Sequence, residues 1–495
     1  MDSFEQDSAV FLNWFRHSHG TRVSDNIQIA DLRTNGAARA LRATQDIAED
    51  EELFALPKAL TLHAQTSDIT KHLNRPLPDS DPWLPLILTI IYEIFRGEAS
   101  PWAPYLRLLP SEFHTLMFWS EEELGELKGS EVVHKIGREA AEHAWRETLI
   151  PIMLENPEIF LCSSHSKEEQ ANELITLAHR AGSLIMAYAF DIVREDISPT
   201  ADSNSAESSL VSDDEDEITF KGMVPFADLL NADADRNNAK LFDEDDYLIM
   251  RSIAPIKAGE EIFNDYGPLP RSDLLRMYGY STPNYAQYDV VELLQSDILA
   301  TAKNMKREIT NDQSVGVRAL DELGLLEDGY AVQRPSSVKT SLVDAVPAEL
   351  HMLLRALTCN LGNDASSNEK RIQKGIKETF SIEEASLLAA MCTKRLRDYA
   401  TSMEEDSQML GTLRASTSTT QSSISPHRLQ MAIEVRRGEK EILHAIITLC
   451  QNHITKKTSE INNAAIGTKR KHQGEDGRAT EKEKQKKKSK QQGFR

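Results

Sequence analysis

FADLLNADADRNNAKLFDEDDYLIMRSIAPIKAGEEIFNDYGPLPRSDLLRMYGY, residues 226–280, is the stretch that decides the fold. Residues 240–242 and 247–252 are alternating apolar runs joined by Asp243, Glu244, Asp245 and Asp246, the composition of a hairpin. A turn at 256–259 leads into a third short strand at 261–263, which delivers Asn264, Asp265, Tyr266 and Gly267. Asn231 stands in a polar turn ahead of the hairpin, and a second tyrosine, Tyr278, follows in MYGY. Taken singly, a tyrosine after an apolar strand is a half-buried packing residue and an asparagine is a turn former. The ordered set carries the information.

Outward from that stretch, the N-terminal half contains GAARALRA at 36–43 and then DIAEDEELFALP at 46–57, a turn followed by a strand that ends in proline. SPWAPYLRLLP occupies 100–110 and FWSEEELGELKGS 118–130; FLNWF stands at 11–15 and RLQMAIEVRRGEKEIL at 428–443. In this order the motifs resemble the SET-domain protein-lysine methyltransferases of the Rubisco large-subunit methyltransferase group. They are most similar to the fungal ribosomal lysine methyltransferases and their animal relatives. The resemblance reaches to about Gln451 and rests on several ordered motifs, which is stronger than any one short pattern. It implies an α+β fold, in which a SET domain of small β-sheets with an inserted helical region is followed by an α-helical C-terminal domain.

The expected domains are a catalytic unit over 1–280, with a helical insert at about 84–195 and an acidic disordered loop at 197–217. A helical substrate-binding domain follows over 281–455, and a disordered basic tail over 456–495. Residues 197–217 mix serines with acids and hold few apolar side chains, so burial cannot repay the entropy of ordering them. Residues 414–426, with ASTSTTQSSISP, form a second flexible loop. Apolar residues recur at helical spacing over 346–361, 382–399 and 428–450, and a further helix is predicted over about 168–192.

Composition agrees with a soluble intracellular enzyme. The chain has 495 residues, enough for two or three domains and an extensive core. Its longest apolar run, 83–91, is interrupted by Pro85 and too short to span a bilayer, and the polar N-terminus lacks signal-peptide character. Four widely separated cysteines, Cys162, Cys359, Cys392 and Cys450, show no CxxC or CxxH spacing, so neither disulfides nor a structural zinc are expected. Net charge is −22, yet residues 469–495 hold eleven Lys and Arg against four Asp and Glu. That tail is +7 and the rest of the chain −29. An acidic body disfavours nucleic acid and favours a basic protein substrate, although solubility alone also accounts for it. The tail reads as a bipartite nuclear import signal that would engage an import receptor, or as a solvated basic tail.

The resemblance also implies the chemistry. S-adenosylmethionine (AdoMet) would be the methyl donor and a large-subunit ribosomal protein the substrate; the basic tail, read as an import signal, puts the protein in the nucleus and leaves the cytoplasm open as a second location. No metal is needed, because methyl transfer to a neutral lysine nitrogen is an in-line displacement that an enzyme promotes mainly by positioning and desolvation. Tyr266 matches the active-site tyrosine. Ala38, Arg39 and Ala40 match the glycine-rich loop that meets the amino-acid part of AdoMet. Asn231 and Ala232 match the loop packed on the cofactor, and Tyr188 in MAYAF and Tyr278 match cofactor-side positions. Trp83 and Tyr280 match substrate-side aromatics, while Trp102 and Tyr105 read as core anchors.

Two departures keep other classes open. Gly36-x-Ala38-x-Ala40 replaces a Gly-x-Gly-x-Gly pattern, adding methyl groups where backbone and cofactor approach. Ala232 stands where the common motif has histidine. A non-catalytic SET-fold binding protein is therefore one alternative, and a lysine methyltransferase for a histone or other nuclear protein is another. The target lysine, its methylation state and the oligomeric state are not written in the sequence.

Overall fold

Strands of two to six residues, none able to bury a face alone, are gathered here into small sheets by the helices that cover them. The computed structural model describes residues 3–33, 39–78, 81–164, 166–193, 219–305, 313–337, 340–359, 379–415 and 424–491, with side chains in the last segment described to 463. The chain divides into two compact units. One comprises Met1–Leu124, Val132–Ala286 and Ser423–Met431; the other comprises Gly125–Glu131, Gln287–Ser422 and Ala432–Arg495.

In the first unit, strands β1 (Arg22–Val23), β4 (Glu52–Pro57), β9 (Tyr247–Ser252) and β8 (Ala239–Glu244) form one sheet in the order β1-β4-β9-β8. Strands β2 (Ile27–Asp31), β3 (Arg39–Ala43), β10 (Glu261–Asn264) and β7 (Asn231–Ala232) form another in the order β2-β3-β10-β7. The expected hairpin is present: β8 and β9 pair from Ala239↔Ser252 to Glu244↔Tyr247, leaving Asp245 and Asp246 as a two-residue turn. Asp245 takes φ +42, the positive φ that such tight hairpin turns demand. Asn231, expected in a turn, instead starts a two-residue strand parallel to β10.

The helical insert contains Trp83–Arg96, Arg138–Leu154 and Lys167–Tyr188. The last is fixed at its start by a capping box, in which Ser166 accepts from the Glu169 amide and the Glu169 side chain reaches back. It stops at Tyr188 and does not reach 192, because Ala189–Val193 (β5) pairs antiparallel with Thr219–Met223 (β6). Alternating AFDIV and the glycine-containing TFKGM satisfy a ladder better than another helical turn. The expected acidic loop lies outside the described residues.

Phe11 and Phe15 of the helix Ser3–His17 pack with Phe54 and Phe226 at the heart of this unit, with ring centroids 4.7–4.8 Å apart for Phe226 against Phe54 and Phe15. In the second unit, strands β11 (Val290–Leu294) and β12 (Gly329–Gln333) make a two-stranded sheet beside helices that include Ala348–Thr358 and Ile382–Leu396. Leu353, Leu388, Leu443 and Ile446 lie in its core and are fully buried. The helix Pro426–Gln491 continues through the segment expected to be a disordered tail. No proline follows Pro426, and Lys, Glu, Gln and Arg are good helix formers. The helix Met403–Ala415 likewise covers the start of the second expected loop, whose middle, 416–423, is outside the described residues.

Candidate active site

Strand β10 is where separated segments of the sequence meet. It pairs antiparallel with β3 through Glu261↔Arg42 and Ile262↔Leu41, and parallel with β7 through Phe263↔Asn231 and Asn264↔Ala232. The turn after it is held by short bonds: the Asp265 amide donates to Asn264 Oδ1 at 2.9 Å, and the Gly267 amide to Asp265 Oδ1 at 2.7 Å. Gly267 takes φ +78, and Tyr266 sits between these two constraints.

The chain then enters the helix Arg271–Tyr278, which ends at Gly279 with φ +77. A Cβ at 279 would lie 2.8 Å from the Thr115 amide nitrogen and 2.9 Å from the His114 carbonyl carbon, so glycine is required by both conformation and space. This turn folds Tyr278 back over Tyr266, with centroids 4.1 Å apart and ring planes 8° from parallel. Tyr280 meets the edge of Tyr278 at 6.4 Å. Burial drives the phenol of Tyr266 well above its ordinary pKa, reinforced by Tyr280, Tyr188, Tyr278 and Asp228. Burial likewise raises Tyr280 and Tyr278, and pushes Tyr188 up to about 12. At neutral pH all four are neutral hydroxyls, able to donate or accept a hydrogen bond and poor proton acceptors.

Asp228 and Tyr105 belong to this constellation, although the sequence reading passed over the first and assigned the second to core packing. Tyr105 donates to Asp228 Oδ2, while Oδ1, buried, has no hydrogen-bond partner. Burial holds the Asp228 carboxyl well above the usual range against the opposing effect of the Tyr105 bond. Two residues earlier, Phe226 takes φ +83, strained for a non-glycine residue and anchored by the aromatic cluster described above. The signal available in the sequence was a single acid in the apolar run PFADLL.

The remaining expected residues divide. Asn231 donates its amide to Glu261 Oε1 at 2.7 Å and, with Ala232, presents its main chain beside the end of β10. The Arg39 side chain turns to the N-terminal helix, with its guanidinium 3.8 Å from the Phe4 ring centroid and bonded to Ser8 Oγ and the Phe4 carbonyl. Only its main chain is left for a cofactor. Ala40 is fully buried within β3 opposite Ala30, in the strand itself and not in the expected turn. Ala38 lies outside the described residues. Trp83 is half-buried, with the Lys221 ammonium 5.7 Å from its ring centroid, and no ring contact among the described residues joins it to the tyrosines.

A SET domain model matches residues 38–267, and a Rubisco LSMT substrate-binding model matches 272–443. Ribosomal lysine N-methyltransferase 4 of Saccharomyces cerevisiae is 30% identical over 432 residues, covering 81% of this chain and 84% of the relative. The chain belongs to the SET-domain protein-lysine methyltransferases. N-lysine methyltransferase SETD6 of Mus musculus is 28% identical, covering 89% of this chain and 90% of that protein. In fold, the SET-domain chain also matches the structure of Rubisco LSMT bound to AdoMet, with a TM-score of 0.64, 19% identity, and coverage of 91% of this chain and 92% of that one. The SET-domain enzyme transfers a methyl group to protein lysine, and its cofactor is AdoMet. Stacked neutral aromatics, the Asn231 amide and a buried carboxyl oxygen without a partner make a donor and acceptor set suited to a cofactor that joins adenine, an amino acid and a sulfonium.

Proposed function

We propose that this enzyme methylates a lysine of a large-subunit ribosomal protein, with Tyr266 as the active-site tyrosine. Its carrying observation is the convergence on β10: Asn231 and Ala232 on one flank, β3 on the other, and Tyr266 at the strand's exit under Tyr278. The ribosomal target is supported by the yeast relative at 30% identity and by an acidic body suited to a basic partner.

AdoMet, when bound, supplies a methyl group already activated on a sulfonium. The protein's part is to bring a neutral amine in line with it. A buried tyrosine cluster disfavours the lysine ammonium by desolvation, so the amine enters as the free base. Tyr266, held neutral by burial, orients that amine and the polarised methyl through its hydroxyl oxygen without taking a proton. Tyr278 fixes the Tyr266 ring by stacking, while Asn231 and the main chain of β7 and β3 hold the cofactor side. Tyr280 and Trp83 are assigned to the substrate side. The basic tail is assigned to nuclear import, where ribosomal proteins are assembled into subunits.

The test is methyl transfer from labelled AdoMet to ribosomal proteins and core histones, offered separately to wild type and Tyr266→Phe. One ribosomal protein should be labelled by wild type, with turnover falling on the order of a hundredfold in the variant, as for loss of one preorganised hydroxyl. Histone labelling alone would move the substrate to another nuclear protein, and equal activity in Tyr266→Phe would remove Tyr266 from its role.

A further inference from the structure

The helix Ser3–His17 carries Phe4, Ser8, Phe11 and Phe15 at spacings of four, three and four residues, which set them along one face. The inner half of that face is fixed. Phe11 and Phe15 are fully buried, Phe11 against Phe226 and Phe15 against Phe226 and Phe54. The outer half, Phe4 and Ser8, is only partly buried and meets the start of strand β3.

Two cations gather on the Phe4 ring: the guanidinium carbons of Arg33 and Arg39 lie 4.0 and 3.8 Å from its centroid. Each such contact is attractive through the quadrupole of the ring, but two like charges around one ring repel. Asp31 offsets that repulsion. Its carboxylate accepts from Arg33 Nη2 at 2.6 Å and Nε at 3.0 Å, and it stands opposite Arg39 in the β2–β3 ladder. The side-chain and amide bonds of Arg33 hold the Asp31 carboxyl down at about 2, and the charge of Arg39 adds to the effect. Arg39 is also bonded along the helix, with Nε donating to Ser8 Oγ at 2.9 Å and Nη2 to the Phe4 carbonyl at 3.1 Å. Ser8 Oγ donates to that same carbonyl at 2.7 Å, so the helix terminus and the arginine share one bonded unit.

An arginine stacked on a surface aromatic ordinarily contributes packing and nothing more. Position sets this one apart. Arg39 is the first residue of β3, and its main chain was assigned above to the cofactor. The β3–β10 ladder runs through Arg42 and Leu41, so Arg39 stands two residues past its end. There its place is set by the pairing with Asp31 of β2 and by its own side chain. We propose that Phe4 is a positioning residue for AdoMet: a helix anchored in the core by Phe11 and Phe15 uses Phe4 and Ser8 to hold the Arg39 side chain, and thereby sets the main chain that Arg39 presents to the cofactor. This rests on the cofactor reading of Arg39 and is independent of which protein is methylated.

The experiment is calorimetry of the full-length protein with AdoMet and no protein substrate. Phe4→Leu keeps an apolar side chain without a π face and should raise the Kd about five- to tenfold, for the loss of contact with two cations. Phe4→Tyr restores the face and should bind within about twofold of wild type. Arg39→Gln should weaken binding as Phe4→Leu does, and the double variant no further than the weaker single one, because both break one link. Should Phe4→Leu not fold, Arg33→Gln, at a half-exposed side chain, removes one cation from the ring and should raise the Kd about threefold. In the methylation assay the KM for AdoMet should follow the same order, with kcat at saturating AdoMet and the KM for the protein substrate unchanged. A lowered unfolding midpoint with an unchanged Kd in Phe4→Leu makes the contact structural and overturns the proposal. Weakening by Arg39→Gln alone removes Phe4 from the role and keeps β3 as a cofactor strand. No weakening by either variant overturns the proposal together with the assignment of Arg39 to the cofactor.

Discussion

Gly279 shows how one residue sets the geometry of this site. Its φ of +77 costs an L-residue roughly 1–2 kcal/mol, and a Cβ would be driven against backbone atoms of His114 and Thr115, which cannot swing aside. Gly279→Ala should therefore destabilise the protein by about 2 kcal/mol or more and also separate Tyr278 from Tyr280. Chemical denaturation checks the first effect. A loss of kcat at temperatures where the variant remains folded checks the second; full activity there would show that the turn does not position the tyrosines. Tyr266 and Tyr278 could each be singled out in the sequence from the ordered motifs around them, but the stacking of one ring on the other could not, because it is set by the turn at Gly279. Asp228 was not legible there, since its significance comes from Tyr105, 123 positions earlier in the chain, and no local pattern reports such a contact. The capture of the Arg39 side chain by the Phe4 ring, 35 residues away, was hidden for a related reason, and it leaves the expected main-chain role of that residue untouched.

At the scale of elements, local chemistry decided most boundaries. The hairpin β8–β9 and the strand β10 were readable from alternation and turn residues, whereas the parallel pairing of β7 with β10 was not, because a two-residue strand has no period. The end of the helix Lys167–Tyr188 was misplaced because its partner strand is separated from it in sequence. In the helical second unit, the long helix Pro426–Gln491 carries a buried titratable group, Glu439, that accepts from Ser130 and Tyr399 hydroxyls at 2.6 Å each. Burial pushes its carboxyl up to about 7, against the lowering effects of those two bonds and of Arg395. Since the folded pKa lies above the unfolded value near 4.5, the folded state holds the extra proton between these pH values. The contribution is complete below about pH 4.5 and is lost as pH rises to 7, with a ceiling of about 3 kcal/mol. Glu439→Gln should flatten this part of the stability profile and gain on wild type above pH 7. Denaturation midpoints at pH 5 and pH 8 test it; an unchanged difference between the two pH values in the variant would assign the slope to other groups.

At the scale of the molecule, charge is the property that no single element carries. Residues 1–468 hold −29 and residues 469–495 hold +7, so the two parts should respond to different partners. Attraction between an acidic enzyme and a basic substrate acts mostly on encounter, and it is screened once the Debye length falls from about 10 Å at 0.1 M salt to a few ångströms near 1 M. The protein-substrate KM should therefore rise steeply with salt, while the KM for AdoMet, set by close contacts, should change little. Deleting residues 469–495 removes the region of opposite sign, so catalysis with saturating substrate should be unaffected and the salt dependence retained. The same truncation should reduce nuclear accumulation if import is what the basic run serves. The decisive comparison is one truncated protein measured both ways: loss of accumulation with intact turnover assigns the tail to transport, whereas intact accumulation with a raised protein-substrate KM would assign it to substrate capture and show that acidity of the body is not what recruits the partner.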